Sequence, residues 1–235
     1  MTISIIIFCY NEGGTIAAVV ENALHVCDAL ASSYEVIVVD DGSTDNTAQS
    51  LKAAFQTNEK VKLLTHHTNQ GIGMALRTGY EAAACEFVCA VPGDGQFEMK
   101  ELLQITPFDN TVFYSFYRTK TDYNFYRAFL SWLNRLFNQH ILGIFLRDVN
   151  WIKVYRKEQL LLVKPELKSS LIESEICAKL YRCGIRPIEI PSSYNKRVYG
   201  EAKGGSWATL KKAVSEMFAL CMSIWRFDKK RCDFS

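Results

Sequence analysis

At 235 residues, the chain has room for one large domain or two small ones, and its net charge of +2 argues against a protein built chiefly to bind nucleic acid. Hydrophobic residues make up 49% of the sequence and charged residues 22%, which is ordinary for a soluble globular protein. The eight cysteines include no Cys-x-x-Cys pair, and several lie within apolar patterns. We therefore expect reduced thiols in a reducing compartment and no zinc site.

The apolar segments favour neither a signal peptide nor a membrane span. The N-terminus runs directly into the apolar residues Ile3–Phe8, with no basic region before them and no small-residue cleavage site. The longest apolar candidate, Ala213–Trp225, is interrupted by Ser215 and Glu216, and it is shorter than the roughly 18 residues that cross a bilayer. We expect a cytoplasmic protein, either free or at the cytoplasmic face of a membrane.

Strand and helix patterns alternate through the first hundred residues. β-branched and apolar runs predict strands at Ile3–Cys9, Glu35–Asp40, Val61–Thr65 and Phe87–Val91. Helical spacing predicts helices at Thr15–Leu30, at Thr44–Phe55 with Ser43 or Thr44 as the N-cap, and from Gly73 to about Ala84. This alternation predicts parallel strands with right-handed crossovers, and hence an α/β fold with a doubly wound, mostly parallel sheet and helices on both faces.

The second half continues with mixed elements. The pattern predicts helices at Glu98–Ile105, Phe125–Leu142, Leu171–Tyr181 and Trp207–Trp225, and sheet segments at Thr111–Tyr117, Trp151–Tyr155 and Arg186–Ile190. Ser192–Ser206 is typical of a mobile polar loop, and residues 226–235 form a polar tail. Because no linker or repeat interrupts the chain, we expect a single domain over residues 1–225, with a nucleotide-binding half at 1–105 and an acceptor-binding half at 106–225.

Polar clusters follow three of the predicted strands. Tyr10-Asn-Glu12 follows the first strand, Asp40-Asp41 the second and Asp94-Gly-Gln96 the fourth. Ligands bind at the carboxyl ends of strands in open α/β sheets, so we expect the three clusters to converge there. Carboxylates accept hydrogen bonds from ring N–H and hydroxyl groups, and one beside a divalent cation can help to neutralise phosphates. The arrangement therefore favours a ligand with a base, a ribose and a diphosphate.

These motifs resemble those of the family 2 glycosyltransferases of the GT-A (Rossmann-like) fold, and within that family they are similar to the dolichyl- and polyprenyl-phosphate sugar transferases. The likeness is carried by Tyr10–Glu12, Val38–Asp45, Asn69–Gly73 with Ala75 and Gly79, and Asp94–Gln96. The resemblance implies nucleotide-sugar binding by residues in both halves of the chain. These are Tyr10, Glu12, Asp40, Asp41, Gly71, Gly73, Gln96, Arg197 and Lys203.

The metal motif departs from the family pattern. Where the family usually has Asp-x-Asp, this sequence has Pro92-Gly-Asp94, so the resemblance leaves Asp94 and Gln96 to face the diphosphate and a bound Mg²⁺ or Mn²⁺. Mg²⁺ is often held by one carboxylate together with substrate phosphates and water, so a single aspartate is compatible with a metal. Gly71 and Gly73 fit either a tight turn or a phosphate or sugar contact. His66 and His67 lack a partner at metal spacing, and we interpret both as surface residues.

The acceptor half carries a second set of matches to the family. Arg118, Arg127 and Ser131 resemble its pattern of an arginine just past the fifth strand followed by Arg-x-x-x-Ser at the start of a helix, and the resemblance implies that they are catalytic together with Asp94. Arg127 and Ser131 share one helical face, where they could hold a phosphate, although the same pattern also fits an amphipathic core helix with salt bridges. Asp148 is expected to order the backbone around it. The loop from Arg197 to Lys203 resembles a basic family loop that could close over the diphosphate.

The resemblance implies an inverting transfer of a sugar from a nucleoside diphosphate to a polyprenyl phosphate, with peripheral membrane contact or a membrane-protein partner and no nucleic acid. Such an acceptor is already anionic and needs no strong base. One alternative is a transferase that acts on a saccharide hydroxyl, which needs a carboxylate base, and Glu173 and Glu175 are the local candidates. Another alternative is a non-catalytic protein that binds nucleotide sugars.

Overall fold

The computed structural model describes residues 1–119, 125–195, 207–227 and 232, without the side chains of residues 125–130 and 207–214. Arg197 and Lys203 lie outside the described residues, as do residues 196–206 of the predicted polar loop and most of the predicted tail. The predicted phosphate-binding side chain of Arg127 also lies outside them, and only its backbone is described. The beginning of the predicted loop belongs to the sheet, because Ser192 ends a strand.

Within the described residues, seven strands form a mostly parallel sheet in the order β3-β2-β1-β4-β6-β5-β7. The strands are β1 (Thr2–Cys9), β2 (Ser33–Asp40), β3 (Val61–Thr65), β4 (Phe87–Pro92), β5 (Phe113–Arg118), β6 (Lys153–Arg156) and β7 (Pro187–Ser192). β6 runs antiparallel to both β4 and β5, whereas the other paired strands are parallel. The sheet therefore joins the parallel strands β3, β2, β1 and β4 to the parallel pair β5 and β7 through one short reversed strand.

Helices cover both faces of this sheet, as the sequence predicts. They are α1 (Ile16–Leu30), α2 (Thr47–Phe55), α3 (Ile72–Ala82), α4 (Phe125–His140), α5 (Lys157–Val163), α6 (Ile172–Arg182) and α7 (Trp207–Arg226), with a 3₁₀ helix at Met99–Ile105. Successive residues of a strand point to opposite faces. Ile5 of β1 accordingly packs in one core with Val20 of α1, and Ile6 packs in a second core with Ala75 of α3. None of the helices in the described part of the chain is both long and apolar enough to span a membrane.

Two helix predictions need correction. α2 begins at Thr47 after Asn46, not at Thr44, because the polar residues before it hydrogen-bond to the neighbouring loop. α5 was not predicted, since its seven residues are too few for helical periodicity to stand out.

The prediction that the cysteines are all reduced is wrong for one pair. Cys183, just after α6, forms a disulfide with Cys232, which joins residue 232 of the predicted polar tail to the body of the protein. Several other cysteines behave as the small hydrophobic residues that the pattern predicts. Burial raises the pKa of the Cys27 and Cys177 thiols to about 12, so both remain protonated and packed in the core near neutral pH.

Candidate active site

The three predicted polar clusters meet at the carboxyl edge of the sheet. β2, β1 and β4 are neighbours, and their register places Cys9 beside Asp40 and Phe8 beside Pro92. The clusters that follow these strands therefore emerge side by side. β5 and β7 run in the same direction as β4, so Arg118 at the end of β5 reaches the same edge. One edge thus collects the predicted nucleotide-binding residues and one predicted acceptor residue.

The loops after β1 and β2 are tied together by hydrogen bonds. Asn11, which adopts a left-handed conformation with φ 56°, accepts a hydrogen bond from the Thr44 amide at 2.8 Å, and its own amide donates to Ser43 Oγ at 2.9 Å. The Glu12 amide donates to Thr47 Oγ1 at 2.9 Å. These contacts fix the backbone that presents Tyr10 and Glu12, and they place the Glu12 side chain in a largely buried position.

Asp40 has one engaged and one unpaired carboxylate oxygen. Its Oδ1 accepts a hydrogen bond from the Ser43 amide at 3.0 Å. Its Oδ2 is buried and has no hydrogen-bond partner among the residues that the structure describes. A buried, unsatisfied carboxylate oxygen is costly, and an unpaired one in a native protein calls for an explanation.

Asp41 organises the segment that follows β3. Its Oδ1 accepts hydrogen bonds from the Gln70 amide at 2.9 Å and from His66 Nδ1 at 2.7 Å, and its Oδ2 accepts one from the Gly71 amide at 2.8 Å. An ionised carboxylate only accepts, so His66 Nδ1 carries a proton. His66 Nε2 lies 2.9 Å from Thr78 Oγ1 of α3.

The interpretation of His66 as a surface residue is therefore wrong. Only 10% of its side chain is exposed, and it bridges Asp41 to α3. His67, in contrast, is exposed as predicted. Asp41 and His66 are far apart in sequence, and a pairing of that kind leaves no periodic or spacing signal. Strand register brings them together, because the β2–β3 pairing sets Asp40 beside Thr65.

Both glycines of the Gly-x-Gly motif have structural roles. Gly71 precedes α3 with φ 92°, a conformation that side chains disfavour, and its amide binds Asp41. A Cβ on Gly73 would lie 2.1 Å from the carbonyl oxygen of Ser169, so this glycine allows α3 to approach that backbone closely. These contacts explain both glycines as residues required by a tight turn and a close backbone approach. A contact of either glycine with phosphate or sugar stays a prediction.

The turn after β4 offers oxygen ligands for a cation. Asp94 is buried, and its Oδ1 accepts a hydrogen bond from the Gln96 amide at 3.0 Å, across Gly95 with φ 74°. The Gln96 side-chain nitrogen donates to the Tyr194 hydroxyl at 2.6 Å, which orients the amide group. Carboxylate and amide oxygens suit Mg²⁺ or Mn²⁺.

The protein itself supplies few ligands at this turn. In residues 1–119, 125–195 and 207–227 with residue 232, no cluster of three or more His, Cys, Asp or Glu side chains could hold a metal. The donor set therefore fits a cation whose remaining ligands are diphosphate oxygens and water, as Mg²⁺ sites in phosphate-transferring proteins often are.

Arg118 is held by a partner that the sequence did not reveal. Its Nε donates to Asp148 Oδ2 at 2.6 Å and its Nη2 donates to Asp148 Oδ1 at 3.1 Å, in a bidentate pair. The guanidinium lies 4.8 Å from the Trp151 ring centroid and 5.6 Å from that of Tyr194. Asp148 also accepts the Asn150 amide at 3.2 Å, so it orders its own loop as predicted. Two of the five guanidinium N–H donors serve this pair.

The second predicted acceptor group that the structure describes is Ser131, which is exposed on α4. Arg127 lies on the same helix, four residues earlier. The four-residue spacing between the two positions on the helix is therefore retained.

Both candidate carboxylate bases are held by hydrogen bonds, Glu173 in a partly buried position and Glu175 in the interior. Glu173 accepts hydrogen bonds from the hydroxyls of Tyr80 and Tyr155, the second at 2.6 Å. Burial and the Glu173 carboxylate raise the pKa of both tyrosines, which keeps them protonated as donors.

Glu175 is completely buried and accepts hydrogen bonds from four groups. These are Lys179 Nζ at 2.7 Å, Ser223 Oγ at 2.6 Å, and the amides of Glu166 and Leu167 at 3.0 and 2.9 Å. The contacts connect α6 to α7 and to the segment after α5. They place Glu175 in the interior and not at the sheet edge where the three polar clusters meet.

Comparison with known proteins identifies the family. Residues 4–159 match the model for Glycosyl transferase family 2. The chain belongs to this family.

Curated relatives include undecaprenyl-phosphate 4-deoxy-4-formamido-L-arabinose transferases. The protein from Edwardsiella ictaluri is 26% identical over 223 residues, which cover 93% of this chain and 66% of that protein. The protein from Pseudomonas fluorescens is 29% identical over 160 residues, which cover 66% of this chain and 47% of that protein. The chain thus spans between about half and two thirds of the length of these relatives.

Several solved structures have the same fold as this protein. Glucosyl-3-phosphoglycerate synthase from Mycobacterium tuberculosis, in complex with uridine diphosphate, superposes with a TM-score of 0.67 at 17% identity, over all of this chain and 81% of that one. A second mycobacterial protein gives a TM-score of 0.69 at 18% identity, over 94% of this chain and 75% of that one. The predicted GT-A fold is therefore confirmed.

Loss of His66 is expected to weaken nucleotide binding by this glycosyltransferase-family protein. His66→Ala removes a charge-assisted hydrogen bond that holds the Asp41 carboxylate in place. Asp41 would then have to be ordered when the nucleotide binds, so we expect the affinity for whichever of UDP and GDP binds more tightly to fall about tenfold, a change of about 1.4 kcal/mol. Calorimetric titration measures this. His67→Ala is the matched control and should bind normally. His66→Asn, which keeps an N–H near the Nδ1 position, should recover part of the affinity, and equal effects at both histidines would contradict the assigned role.

Proposed function

We propose that this protein is an inverting glycosyltransferase that moves a sugar from a nucleoside diphosphate sugar to a polyprenyl phosphate. The observation that carries the choice of acceptor is that the carboxylates of Glu173 and Glu175 are both occupied by hydrogen bonds to other side chains. A hydroxyl acceptor needs a base near the anomeric carbon, whereas a phosphate monoester is anionic near neutral pH. The names of the curated relatives, which are undecaprenyl-phosphate transferases, support the same choice.

On the donor side, the carboxyl edge of the sheet would hold the nucleotide. Asp40 and Asp41 would accept hydrogen bonds from the base or ribose, together with Tyr10 and Glu12. The amides of Gln70 and Gly71, which hold the Asp41 carboxylate in a fixed orientation, support this role. Asp94 and Gln96 would hold Mg²⁺ or Mn²⁺ against the diphosphate. When bound, the cation would neutralise charge on the leaving diphosphate. A fold neighbour has been crystallised with Mn²⁺ and UDP, which supports a divalent cation.

On the acceptor side, the reaction is a single displacement. An oxygen of the polyprenyl phosphate forms a bond to the anomeric carbon as the bond from that carbon to the diphosphate oxygen breaks, so the configuration inverts. The nucleoside diphosphate leaves with the electron pair, and no proton must be removed from the acceptor. Arg118, Arg127 and Ser131 would position the acceptor phosphate, while Arg197 and Lys203 would offset the charge of the leaving group.

We also propose that the protein touches the membrane peripherally, because the tail of a lipid acceptor stays in the bilayer. Large apolar side chains are exposed within the predicted acceptor half: Phe145 at 68%, Phe218 at 71% and Trp225 at 74%. Two residues at the end of α6 contact the segments that carry Phe145 and Trp225. The Tyr181 hydroxyl donates to the Phe145 carbonyl at 3.2 Å, and the Arg182 side chain donates to the carbonyl of Ile224, the residue before Trp225. Exposed arginines in the same region, Arg135, Arg147, Arg186 and Arg226, suit an anionic lipid surface.

Vesicle sedimentation tests the membrane contact. The wild-type protein should sediment with vesicles that contain phosphatidylglycerol and should be released by high salt, and Phe145→Ser with Trp225→Ser should weaken sedimentation. Leu161→Ser, an exposed apolar position on α5, is the matched control. Sedimentation that is unchanged in the double variant would contradict this surface, and a membrane-protein partner would then be the remaining route to the lipid.

Transfer of radiolabelled sugar tests the function itself. A panel of UDP- and GDP-sugars is incubated with polyprenyl phosphate and Mg²⁺ or Mn²⁺, and the products are extracted into organic solvent. We expect label in the organic phase only when polyprenyl phosphate is present, and the active donor identifies the sugar. Donor turnover with a saccharide acceptor, and none with the lipid, would overturn the acceptor. Donor binding without turnover on any acceptor would favour a non-catalytic protein.

A further inference from the structure

Contacts from both halves of the candidate site converge on Tyr194, a residue that none of the sequence motifs includes. Its hydroxyl accepts a hydrogen bond from the Gln96 side chain at 2.6 Å. Its ring lies 5.6 Å from the Arg118 guanidinium and 5.6 Å from the Trp151 ring, which it meets edge-on. The next residue, Asn195, donates its amide to the Gln96 carbonyl at 3.1 Å. One side chain therefore touches the turn that follows β4 and the arginine that ends β5.

The position of Tyr194 is fixed by the strand that precedes it. β7 pairs with β5 in a register that sets Ser192 beside Arg118, and the Thr119 amide donates to the Ser192 carbonyl at 3.0 Å. The Trp151 indole N–H donates to Ser192 Oγ at 3.0 Å, and Trp151 in turn lies against the Arg118 guanidinium. A displacement of the Tyr194 ring would therefore disturb the packing around Arg118, and a displacement of its hydroxyl would disturb Gln96.

We propose that Tyr194 is a positioning residue that couples the donor diphosphate end of the site to the acceptor phosphate end. The proposal rests on the proposed function, which places the diphosphate at Asp94 and Gln96 and the acceptor phosphate at Arg118. A diphosphate bound at Gln96 would further restrict the Tyr194 hydroxyl, which already accepts a hydrogen bond from Gln96, and the ring would then restrict the motion of Arg118. Coupling of this kind is reciprocal, so the acceptor must tighten donor binding by the same factor.

The side chain offers two separable contacts, which makes the proposal testable. Tyr194→Phe keeps the ring against Arg118 and Trp151 and removes only the hydroxyl that binds Gln96. Tyr194→Leu removes both contacts. A merely structural tyrosine would lose stability in these variants without any change in how one ligand affects the other.

The experiment is calorimetric titration of farnesyl phosphate, a short polyprenyl phosphate, into the whole protein with and without UDP or GDP and Mn²⁺. In the wild type we expect the nucleotide and Mn²⁺ to tighten farnesyl phosphate binding about fivefold or more, at the lower end of typical coupling between sites. In Tyr194→Phe, farnesyl phosphate alone should bind with nearly wild-type affinity, but the tightening should vanish. In Tyr194→Leu, binding of farnesyl phosphate alone should weaken as well.

A matched control removes a tyrosine hydroxyl elsewhere. Tyr34 lies near the start of β2, at the opposite edge of the sheet, where its hydroxyl donates to Asp28 at 2.6 Å, so Tyr34→Phe should retain the full coupling. Coupling that persists in Tyr194→Phe would overturn the proposal and leave the proposed function intact. A wild-type protein that binds nucleotide but never binds farnesyl phosphate would overturn the proposed acceptor, and the role of Tyr194 with it.

Discussion

Replacement of Asp94 by asparagine is expected to reduce sugar transfer by about 10²-fold or more, the largest effect on activity that the site predicts. The neutral amide retains an oxygen that can accept the Gln96 amide, so the turn after β4 should keep its shape. The charge that would hold Mg²⁺ or Mn²⁺ beside the diphosphate is lost, and electrostatic stabilisation of a leaving group is typically worth this much. Initial rates of labelled transfer measure the loss.

The proposed metal role also predicts how tightly the Asp94→Asn variant binds the nucleotide. Its affinity for the nucleoside diphosphate with Mn²⁺ present should fall to the value that the wild type shows with EDTA. Asp109→Asn serves as the control, because Asp109 is exposed and its carboxylate caps the nearby Thr111 amide at 2.7 Å. A fully active Asp94→Asn protein would remove the metal assignment and leave the diphosphate without its proposed anchor.

Replacement of Glu175 by alanine is expected to destabilise the folded protein by about 3–5 kcal/mol, the largest effect on stability. The change strips buried Lys179 of its 2.7 Å partner and leaves the Ser223 hydroxyl and the amides of Glu166 and Leu167 without their acceptor. Urea unfolding followed by circular dichroism gives the free energy of unfolding. Activity per folded molecule should stay near wild type, in contrast to the loss that a catalytic base would show.

The chain offers a matched control for this ion pair. Glu81 and Arg77 also lie four residues apart on a helix, but both are at least partly exposed, so Glu81→Ala should cost less than about 1 kcal/mol. The double variant Glu175→Leu with Lys179→Met should regain much of the lost stability, because an apolar pair avoids burying a lone charge. A Glu175 variant that is stable but inactive would revive the saccharide-acceptor alternative.

The local pattern of apolar and polar residues was enough to predict the strands and helices of the first hundred residues. The predicted β3, Val61–Thr65, agrees residue for residue, because an apolar run between polar turns carries its own boundaries. The convergence of the Tyr10, Asp40 and Asp94 clusters followed from the rule that parallel strands share a carboxyl edge. The antiparallel insertion of β6 between β4 and β5 was not predictable in the same way, since it depends on pairing between segments that are distant in sequence.

The site was predictable in its residue types and less so in its contacts. Gln96 and Arg118 were singled out, but the side chains that hold them come from other elements. Asp148 pairs with Arg118 and Tyr194 binds Gln96 through tertiary contacts that leave no spacing signal. The same holds for the disulfide of Cys183 and Cys232, because pairing cannot be deduced from cysteine positions alone.

The sheet order also has a consequence for how the chain emerges from the ribosome. β1 to β4 can all pair with one another once the chain has been synthesised as far as Pro92. β5 can pair only after β6, which begins at Lys153, and β7, which begins at Pro187, have been synthesised. Until then the aromatic segment Phe113–Arg118 presents unpaired edges, which are prone to associate with other chains. We expect nascent chains halted before Pro187 to aggregate unless a chaperone covers β5, and sedimentation of ribosome-released fragments that end before and after β7 would measure this.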